Sequence, residues 1–157
     1  MNIEKTNVMR LLDAAGVNYE SKCYADTDAI SGKDVAAALG EDENQTFKTL
    51  VTAGKSKQNY VFVIPVASEL DLKKAASAVG EKSIEMIKSK ELLPLTGYIH
   101  GGCSPIGMKK QFVTVIDETA ILFDEIMFSA GKIGYQVKVR VDDLEKMFPY
   151  TLVDVCK

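Results

Sequence analysis

Residues 46–67, TFKTLVTAGKSKQNYVFVIPVA, contain two strand-like runs on either side of a short polar segment. The runs are rich in β-branched and aromatic residues, and the segment between them, GKSKQ, contains Gly54. Two such runs joined by a short connection with a glycine are typical of a β-hairpin with a longer loop. Pro65 has no backbone N–H to donate, so we expect the second strand to lie at a sheet edge or to end near this residue.

Helical patterns lie on both sides of this hairpin in the sequence. The predicted helices cover residues 4–15, SGKDVAAALG (31–40), DLKKAASAVG (71–80), SKELLPL (89–95) and DDLEKMF (142–148). In the first of them, apolar residues recur at nearly helical spacing before Gly16 ends the pattern. Ser31 and Asp71 can cap the second and third, because a short polar side chain accepts a hydrogen bond from a free N–H group of the first turn.

Further strand-like or apolar runs precede and follow the hairpin. They are VNYESKCY (17–24), SIEMI (83–87), QFVTVID (111–117), AILFDEIMFSAG (120–131), YQVKVRV (135–141) and TLVDVC (151–156). Several of these runs are joined by short turns, as between Gly131 and Gly134, rather than by helical crossovers. This organisation favours an α+β fold with a mixed, largely antiparallel β-sheet and flanking α-helices, and it disfavours a doubly wound nucleotide-binding fold.

Composition restricts the class of protein further. The chain has 157 residues, of which 46% are hydrophobic, so we expect a single domain spanning residues 1–157. No apolar run approaches the roughly 20 residues of a membrane span, and charges interrupt residues 1–16, so a cytoplasmic protein is expected. The three cysteines are far apart and lack a metal-binding spacing, which indicates reduced thiols and no metal.

The charge of the chain limits how it could bind a nucleic acid. The formal net charge is −3, which does not suit a protein that captures RNA by counterion release alone. Lysines are unevenly placed, but most of them are interpreted as solvated surface residues. An RNA substrate would therefore be held weakly or delivered by another protein.

A second stretch, TGYIHGGCSPIGMKKQ (96–111), concentrates glycines around Cys103 and the only histidine of the chain, His100. It matches neither a P-loop nor a dinucleotide-binding loop. Nothing in a glycine-rich turn fixes a Cys–His geometry, so Cys103 is interpreted as a spectator rather than a nucleophile. Paired glycines can turn backbone N–H groups toward a bound carbonyl oxygen, but the same pattern also suits a Gly-Pro turn without a ligand.

Lys48 lies within the otherwise apolar and β-branched first strand of the hairpin. By strand alternation it shares a face with Thr46 and Leu50, whereas Phe47 and Thr49 point to the opposite face. A lysine among such neighbours either extends its ammonium outward to solvent or points into a cleft. The pattern alone does not distinguish these two arrangements.

Four segments together resemble the successive motifs of the YbaK-type aminoacyl-tRNA deacylases, relatives of the editing insertion of bacterial prolyl-tRNA synthetase. They are FKTLV (47–51), VIPVASELDLKKAASAVG (63–80), GYIHGGCSPIGMKK (97–110) and FSAGKIGYQVKV (128–139). The resemblance implies a barrel-like mixed sheet with flanking helices. It also implies a free-standing editing enzyme, without a cofactor, that removes a mischarged amino acid from a transfer RNA, classically cysteine or alanine from the proline acceptor.

The same resemblance implies a set of site residues. The expected catalytic residues are Lys48, Gly101 and Gly102, and the expected substrate-binding residues are Tyr24, Thr46, Ser104, Pro105 and Gln136. Lys48 would hold the acceptor end or the substrate carbonyl, and the two glycines would meet the aminoacyl ester. Many family members have an aspartate where this chain has Gln136, so recognition at this position is expected to rest on hydrogen bonding rather than on charge.

The resemblance further implies that the enzyme needs no nucleophile of its own. In the cysteine-specific branch, the thiol of the substrate attacks its own ester carbonyl and leaves as a cyclic thiolactone, while the protein positions it and stabilises the oxyanion. Two alternatives stay open: removal of alanine with water as the nucleophile, or a module that binds an aminoacyl-tRNA or a protein without catalysis. Prolyl-tRNA synthetase is the expected partner that delivers the tRNA.

Overall fold

The structure is a computed structural model that describes residues 5–157. Its strands are β1 (Tyr19–Cys23), β2 (Phe47–Gly54), β3 (Asn59–Pro65), β4 (Ile84–Met86), β5 (Val113–Asp117), β6 (Glu125–Ser129), β7 (Tyr135–Arg140) and β8 (Thr151–Val153). Its α-helices are α1 (Asn7–Ala14), α2 (Gly32–Ala38), α3 (Leu72–Val79) and α4 (Ser89–Thr96). Short 3-10 helices cover Glu118–Leu122 and Val141–Lys146.

The predicted hairpin is confirmed as the pair β2 and β3, in which Lys48 lies opposite Ile64. The hairpin occupies the middle of a five-stranded sheet with the order β4-β2-β3-β5-β8. β4 joins β2 in antiparallel orientation, whereas β3 and β5, and β5 and β8, pair in parallel. Pro65 is the last residue of β3, so this central strand ends where its missing N–H would break the ladder.

A second, three-stranded sheet has the order β1-β7-β6 and is antiparallel throughout. An isolated parallel bridge between Thr46 and Met127 connects the two sheets at the start of β2. The α+β class, with mixed sheets and flanking helices, is confirmed. The strands of the described residues do not close into a barrel, because beyond that bridge the edge of β2 is not paired with β6.

Strand alternation in the hairpin divides the core into two clusters. Phe47 and Val51 of β2 pack in the larger cluster, which lies between the two sheets and under α1. Phe62 and Ile64 of β3 face the opposite side, in a smaller cluster under α3 against which Leu50 packs. Both faces of β3 are therefore buried, which explains why its run is almost continuously apolar.

The helix ends follow the predicted capping pattern. The side chain of Ser31 accepts from Asp34 N, that of Asp71 accepts from Lys73 N and Lys74 N, and Gly80 ends α3 in the left-handed conformation with φ 74°. The first helix is shorter than predicted, and residue 4 of that prediction lies outside the described residues. None of the described helices has the length and apolar character needed to cross a membrane.

The capped helix predicted in DDLEKMF is a 3-10 helix of residues 141–146 rather than an α-helix. No side chain caps its first turn, and Pro149 follows closely, so there is little chain in which an α-helix could be extended. The apolar run 120–131 likewise divides into the end of a 3-10 helix and strand β6.

Candidate functional site

A cavity of about 390 Å³ opens beside the first half of β2, between the two sheets. Its walls come from Tyr24, Val66 and residues within 30–35, 46–51, 86–92, 100–103 and 128–136. The volume is within the range of small-molecule sites, and most of the lining is apolar with a few polar groups. The cavity exists because β4 pairs with β2 only from Thr52 to Gly54, which leaves the earlier part of that strand edge open.

The backbone of β2 presents polar groups to this cavity. Val66 N donates to Thr46 O at 2.8 Å and Gly54 N donates to Gln58 O at 2.9 Å, so the even-numbered residues of β2 form the hydrogen-bonded pairs with β3. In an antiparallel ladder the N–H and C=O groups of the odd-numbered residues then point away from β3. The backbone groups of Thr49 therefore face the open edge.

Lys48 lines the cavity and is about half-buried. Its removal from water lowers the pKa of the ammonium below its usual range; the carboxylate of Glu69 and the thiol group of Cys156 act in the opposite direction, and Lys33 adds to the lowering. Within residues 5–157 no hydrogen bond or ion pair holds the Lys48 ammonium. Of the two arrangements that the sequence left open, the structure shows the one in which this lysine borders a cleft.

Gln136 lines the opposite wall, where it is only 2% exposed. Its Nε2 donates to Glu41 Oε1 at 3.0 Å. Glu41 also accepts from Lys22 Nζ at 2.8 Å and from the hydroxyl of Thr46 at 3.2 Å. This buried network was not expected from the sequence, because its members come from three separate segments of the chain.

Two polar atoms at the cavity have no hydrogen-bond partner among the described residues although they are buried. They are Thr49 Oγ1 and Gln136 Oε1. Buried polar atoms in native proteins are nearly always paired, so an unpaired atom in a cavity wall is a candidate contact for a ligand. Both residues lie on strands whose neighbours hold them in place, which makes them fixed rather than adaptable contacts.

The glycine loop reaches the cavity through Gly101, whose φ of 88° suits glycine. Gly102 is buried, and its N–H donates to Ile99 O at 3.0 Å. Of the two possibilities that the sequence left open for this loop, a pair of free N–H donors does not hold at Gly102, because its N–H is already used in the turn. A Cβ at this residue would lie 3.2 Å from Ile133 N, so close backbone packing explains the second glycine.

Ser104 and Pro105, expected to bind substrate, are buried behind the loop and do not line the cavity. The hydroxyl oxygen of Ser104 accepts from Ile106 N at 3.3 Å, which fixes the turn. By contrast, Tyr24 and Thr46 line the cavity and are 4% and 2% exposed. The structure thus brings Tyr24, Thr46 and three further predicted residues together, as Lys48, Gly101 and Gln136 also line the cavity.

Cys103 and His100 also border the cavity. Burial raises the pKa of the Cys103 thiol to about 12, so the thiol is protonated at neutral pH and is a poor nucleophile. His100 is exposed. Among residues 5–157, no group of three His, Cys, Asp or Glu side chains is arranged to hold a metal ion.

Sequence comparison gives a consistent picture. Residues 26–147 match the Aminoacyl-tRNA editing domain family. An Enterococcus faecalis protein named "Putative Cys-tRNA(Pro)/Cys-tRNA(Cys) deacylase EbsC" is 47% identical over 137 residues, which are 87% of this chain and 84% of that protein. A Pelobacter propionicus Proline–tRNA ligase is 31% identical over 120 residues, 74% of this chain but only 20% of the ligase.

Solved structures show the same fold at lower sequence identity. One, of "a putative trans-editing enzyme for prolyl tRNA synthetase", superposes with a TM-score of 0.81 at 23% identity, over 97% of this chain and 98% of the other. Another, of a protein described only as hypothetical, superposes with a TM-score of 0.88 at 21% identity, over 97% and 100% of the two chains.

Proposed function

This chain belongs to the aminoacyl-tRNA editing domain family, and from that membership we propose that it is a trans-editing deacylase for cysteine mischarged onto proline tRNA. The observation that carries the proposal is the cavity that joins an unpaired lysine, Lys48, to buried unpartnered acceptors on a chain 47% identical to a named cysteinyl-tRNA deacylase. The cavity is large enough for an aminoacyl group with its ribose.

Lys48 supplies the positive charge of the proposed site. The ester carbonyl of the substrate becomes an oxyanion in the transition state, and a nearby ammonium that no carboxylate holds in an ion pair stabilises that charge. Burial strengthens this interaction, because water screens it less inside a cavity than on the surface. Gly101 adds no side chain to the cavity wall, which in this proposal leaves room for the ester.

The proposed chemistry requires no nucleophile from the protein. The sulfur of the cysteinyl group attacks its own carbonyl carbon, a carbon–sulfur bond forms, and the bond to the ribose oxygen breaks. The thiol loses its proton and the ribose oxygen gains one, so the products are a cyclic thiolactone and the free tRNA. A site that only positions and stabilises agrees with Cys103, whose thiol has a pKa of about 12.

The tRNA itself is held through the acceptor end. Lys88 lines the cavity, Lys33 lies near enough to Lys48 to lower its pKa, and Lys132 contacts the ring of Tyr135 at 5.4 Å. Lys88 thus belongs to the cavity wall and Lys33 lies near Lys48, although the whole chain has a net charge of −3. We therefore propose that local contacts bind the terminal phosphates and that prolyl-tRNA synthetase delivers the mischarged tRNA.

A deacylation time course on cysteinyl-, alanyl- and prolyl-tRNA(Pro) tests this function. Wild-type protein is expected to release cysteine selectively, and Lys48→Met is expected to release it about 100-fold more slowly or not at all. Lys82→Met is the matched control, because Lys82 is exposed and does not line the cavity. Selective release of alanine would show that the same site acts on a different amino acid. If no ester were cleaved, the protein would not be a deacylase.

A further inference from the structure

The side chain of Glu41 is 2% exposed and lies directly behind the cavity wall. It does not line the cavity, but it contacts Gln136 and Thr46, which do. Glu41 follows Gly40 at the end of α2, and its N–H donates to Ala36 O at 2.8 Å. The chain therefore holds this carboxylate in place from its own backbone, independently of any ligand.

A carboxylate paired with a lysine ammonium offers only acceptor atoms. Its hydrogen bond to Gln136 therefore requires the NH₂ side of the amide to face Glu41, and the amide oxygen must face the other way. The hydrogen bond to Glu41 therefore fixes the orientation of the Gln136 amide, whereas a glutamine without such a partner could have its oxygen and NH₂ group in either of two positions. The oxygen that results, Gln136 Oε1, is buried and has no partner among residues 5–157.

Strand register keeps the network together. Lys22 and Gln136 are directly opposite each other in the antiparallel pair of β1 and β7, so both side chains lie on the same face and reach one carboxylate. Thr46 has one hydroxyl proton, which points to Glu41 Oε1 at 3.2 Å or to Asp42 O at 3.0 Å. Glu41 thus accepts hydrogen bonds from Lys22 of β1 and from Gln136 of β7, and the ammonium of Lys22 also balances its charge.

We propose that Glu41 is a positioning residue of the editing site: it fixes the amide of Gln136 so that Oε1 accepts a hydrogen bond from the bound aminoacyl ester. This inference rests on the proposed function for the identity of the ligand. The donor is an N–H or O–H group next to the ester bond, namely the α-ammonium group of the amino acid or the free ribose hydroxyl. Glu41 itself does not touch the substrate.

Glu41→Gln is the primary test. The variant keeps the size of the side chain, but an amide at residue 41 can present either an oxygen or an NH₂ group, so the Gln136 amide is no longer held in one orientation. We expect the apparent affinity for cysteinyl-tRNA(Pro) in single-turnover assays to fall about tenfold, the value of one well-made hydrogen bond. The rate at saturating enzyme should change much less.

A double-mutant cycle separates positioning from a general structural role. Gln136→Met removes the acceptor, and the Glu41→Gln/Gln136→Met variant should bind no more weakly than Gln136→Met alone, because Glu41 acts only through that amide. If the losses of affinity in the two single variants multiply in the double variant, the proposal is wrong. If Glu41→Gln does not fold, Lys22→Met/Glu41→Gln removes both charges of the pair and takes its place in the cycle.

Two modified esters identify the donor. The 3-mercaptopropionyl ester lacks the α-amino group but keeps the thiol, and a tRNA ending in 2′-deoxyadenosine lacks the ribose hydroxyl. The loss of affinity that Gln136→Met causes on cysteinyl-tRNA(Pro) should vanish on the ester that lacks the true donor and persist on the other. An effect that persists on both esters would show that Gln136 Oε1 does not bind the substrate, and the proposal would be wrong.

A binding measurement keeps this inference separate from the proposed function. The amide analogue 3′-cysteinylamino-3′-deoxyadenosine cannot be cleaved, so calorimetry reports its affinity whether or not the protein is a deacylase. Wild-type binding that weakens about tenfold in Glu41→Gln would support the positioning role even if every ester were stable. No binding, or equal binding by both proteins, would overturn it even if cysteine were released.

Discussion

Lys22 of β1 and Lys48 of β2 are two strand lysines near the same cavity, and their surroundings are opposite. Lys22 Nζ lies 2.8 Å from a buried carboxylate, that of Glu41. The ammonium of Lys48 has no ion-pair partner within residues 5–157, and burial lowers its pKa. A paired ammonium balances an internal charge. A lysine in a strand is therefore available for a substrate only when the fold places no carboxylate within ion-pair distance of it.

The largest expected effect follows from removing the unpaired charge. Lys48→Met should lower the rate of cysteine release by about 100-fold or more, a typical effect of deleting one electrostatic stabiliser of an oxyanion. Its free energy of unfolding should not decrease, because a half-buried cation without a partner gives no stabilising ion pair to lose. Chemical denaturation and deacylation assays on the same preparation check both parts. If Lys48→Met lost stability as well as activity, the contrast between Lys48 and Lys22 would not hold.

The paired lysine should behave in the opposite way. Lys22→Met leaves the Glu41 carboxylate buried without its counterion, which we expect to lower the free energy of unfolding by about 1–2 kcal/mol, less than for a fully buried pair because Lys22 is 22% exposed. Cysteine release by the folded fraction should fall less than in Lys48→Met. An unchanged denaturation midpoint would show that the pair is not structural.

The pH dependence of Lys48 sharpens the contrast. Because burial lowers its pKa in the folded state, the Lys48 ammonium loses its proton at a lower pH than an exposed lysine does. The ratio of wild-type to Lys48→Met rate constants should fall over the pH range in which this proton is lost. The unfolded state holds the proton longer, so this residue makes the protein more stable as pH rises toward the ordinary lysine pKa. Using the ratio cancels the intrinsic pH dependence of the ester and thiol.

Charges near Lys48 also set the size of that shift. The carboxylate of Glu69 opposes the lowering and the ammonium of Lys33 adds to it. Lys33→Met should therefore move the fall in activity to higher pH, and Glu69→Gln should move it to lower pH. Movement in the reverse direction in either variant would assign the pH dependence to another group.

The smallest effect is expected at Cys103, a titratable group in the same cavity that is neutral rather than charged. Its pKa is raised to about 12 by burial, so Cys103→Ala should release cysteine within about twofold of the wild-type rate. Steady-state assays at neutral pH measure this directly. An inactive but folded Cys103→Ala protein would make this thiol a participant in the reaction.

Local sequence was enough to predict the hairpin and the caps at Ser31 and Asp71, and it gave the end of β3 at Pro65 as one of two possibilities. Each of these depends on chemistry within a few residues: strand-forming side chains, a short acceptor before a helix, a missing N–H. It also placed Lys48 on the correct strand face, because alternation has a fixed period of two residues. The motifs that resemble an editing family were recognisable for the same reason, since each is a contiguous segment, and residues from each of them line one cavity.

The network of Glu41, Lys22 and Gln136 could not be predicted in this way. Its members lie 19 and 95 residues from Glu41, and no local pattern shows which lysine a buried carboxylate will find. The sequence also did not show that the N–H of Gly102 is used by Ile99 O, because that depends on the conformation of the loop. Hydrogen bonds between distant segments exist only once the strands are in register.

By itself the sequence determined most of the elements and the family. Most elements depend on side chains that act on their own backbone, and the family motifs are short contiguous stretches. Only the tertiary structure decided which groups stay free for a ligand. That decision is made by long-range pairing: strand register brings Lys22 and Gln136 to one carboxylate, while the short β4 leaves the edge beside Lys48 open. A charge or amide oxygen is available to a substrate when folding has given it no partner, and that is a property of the whole molecule.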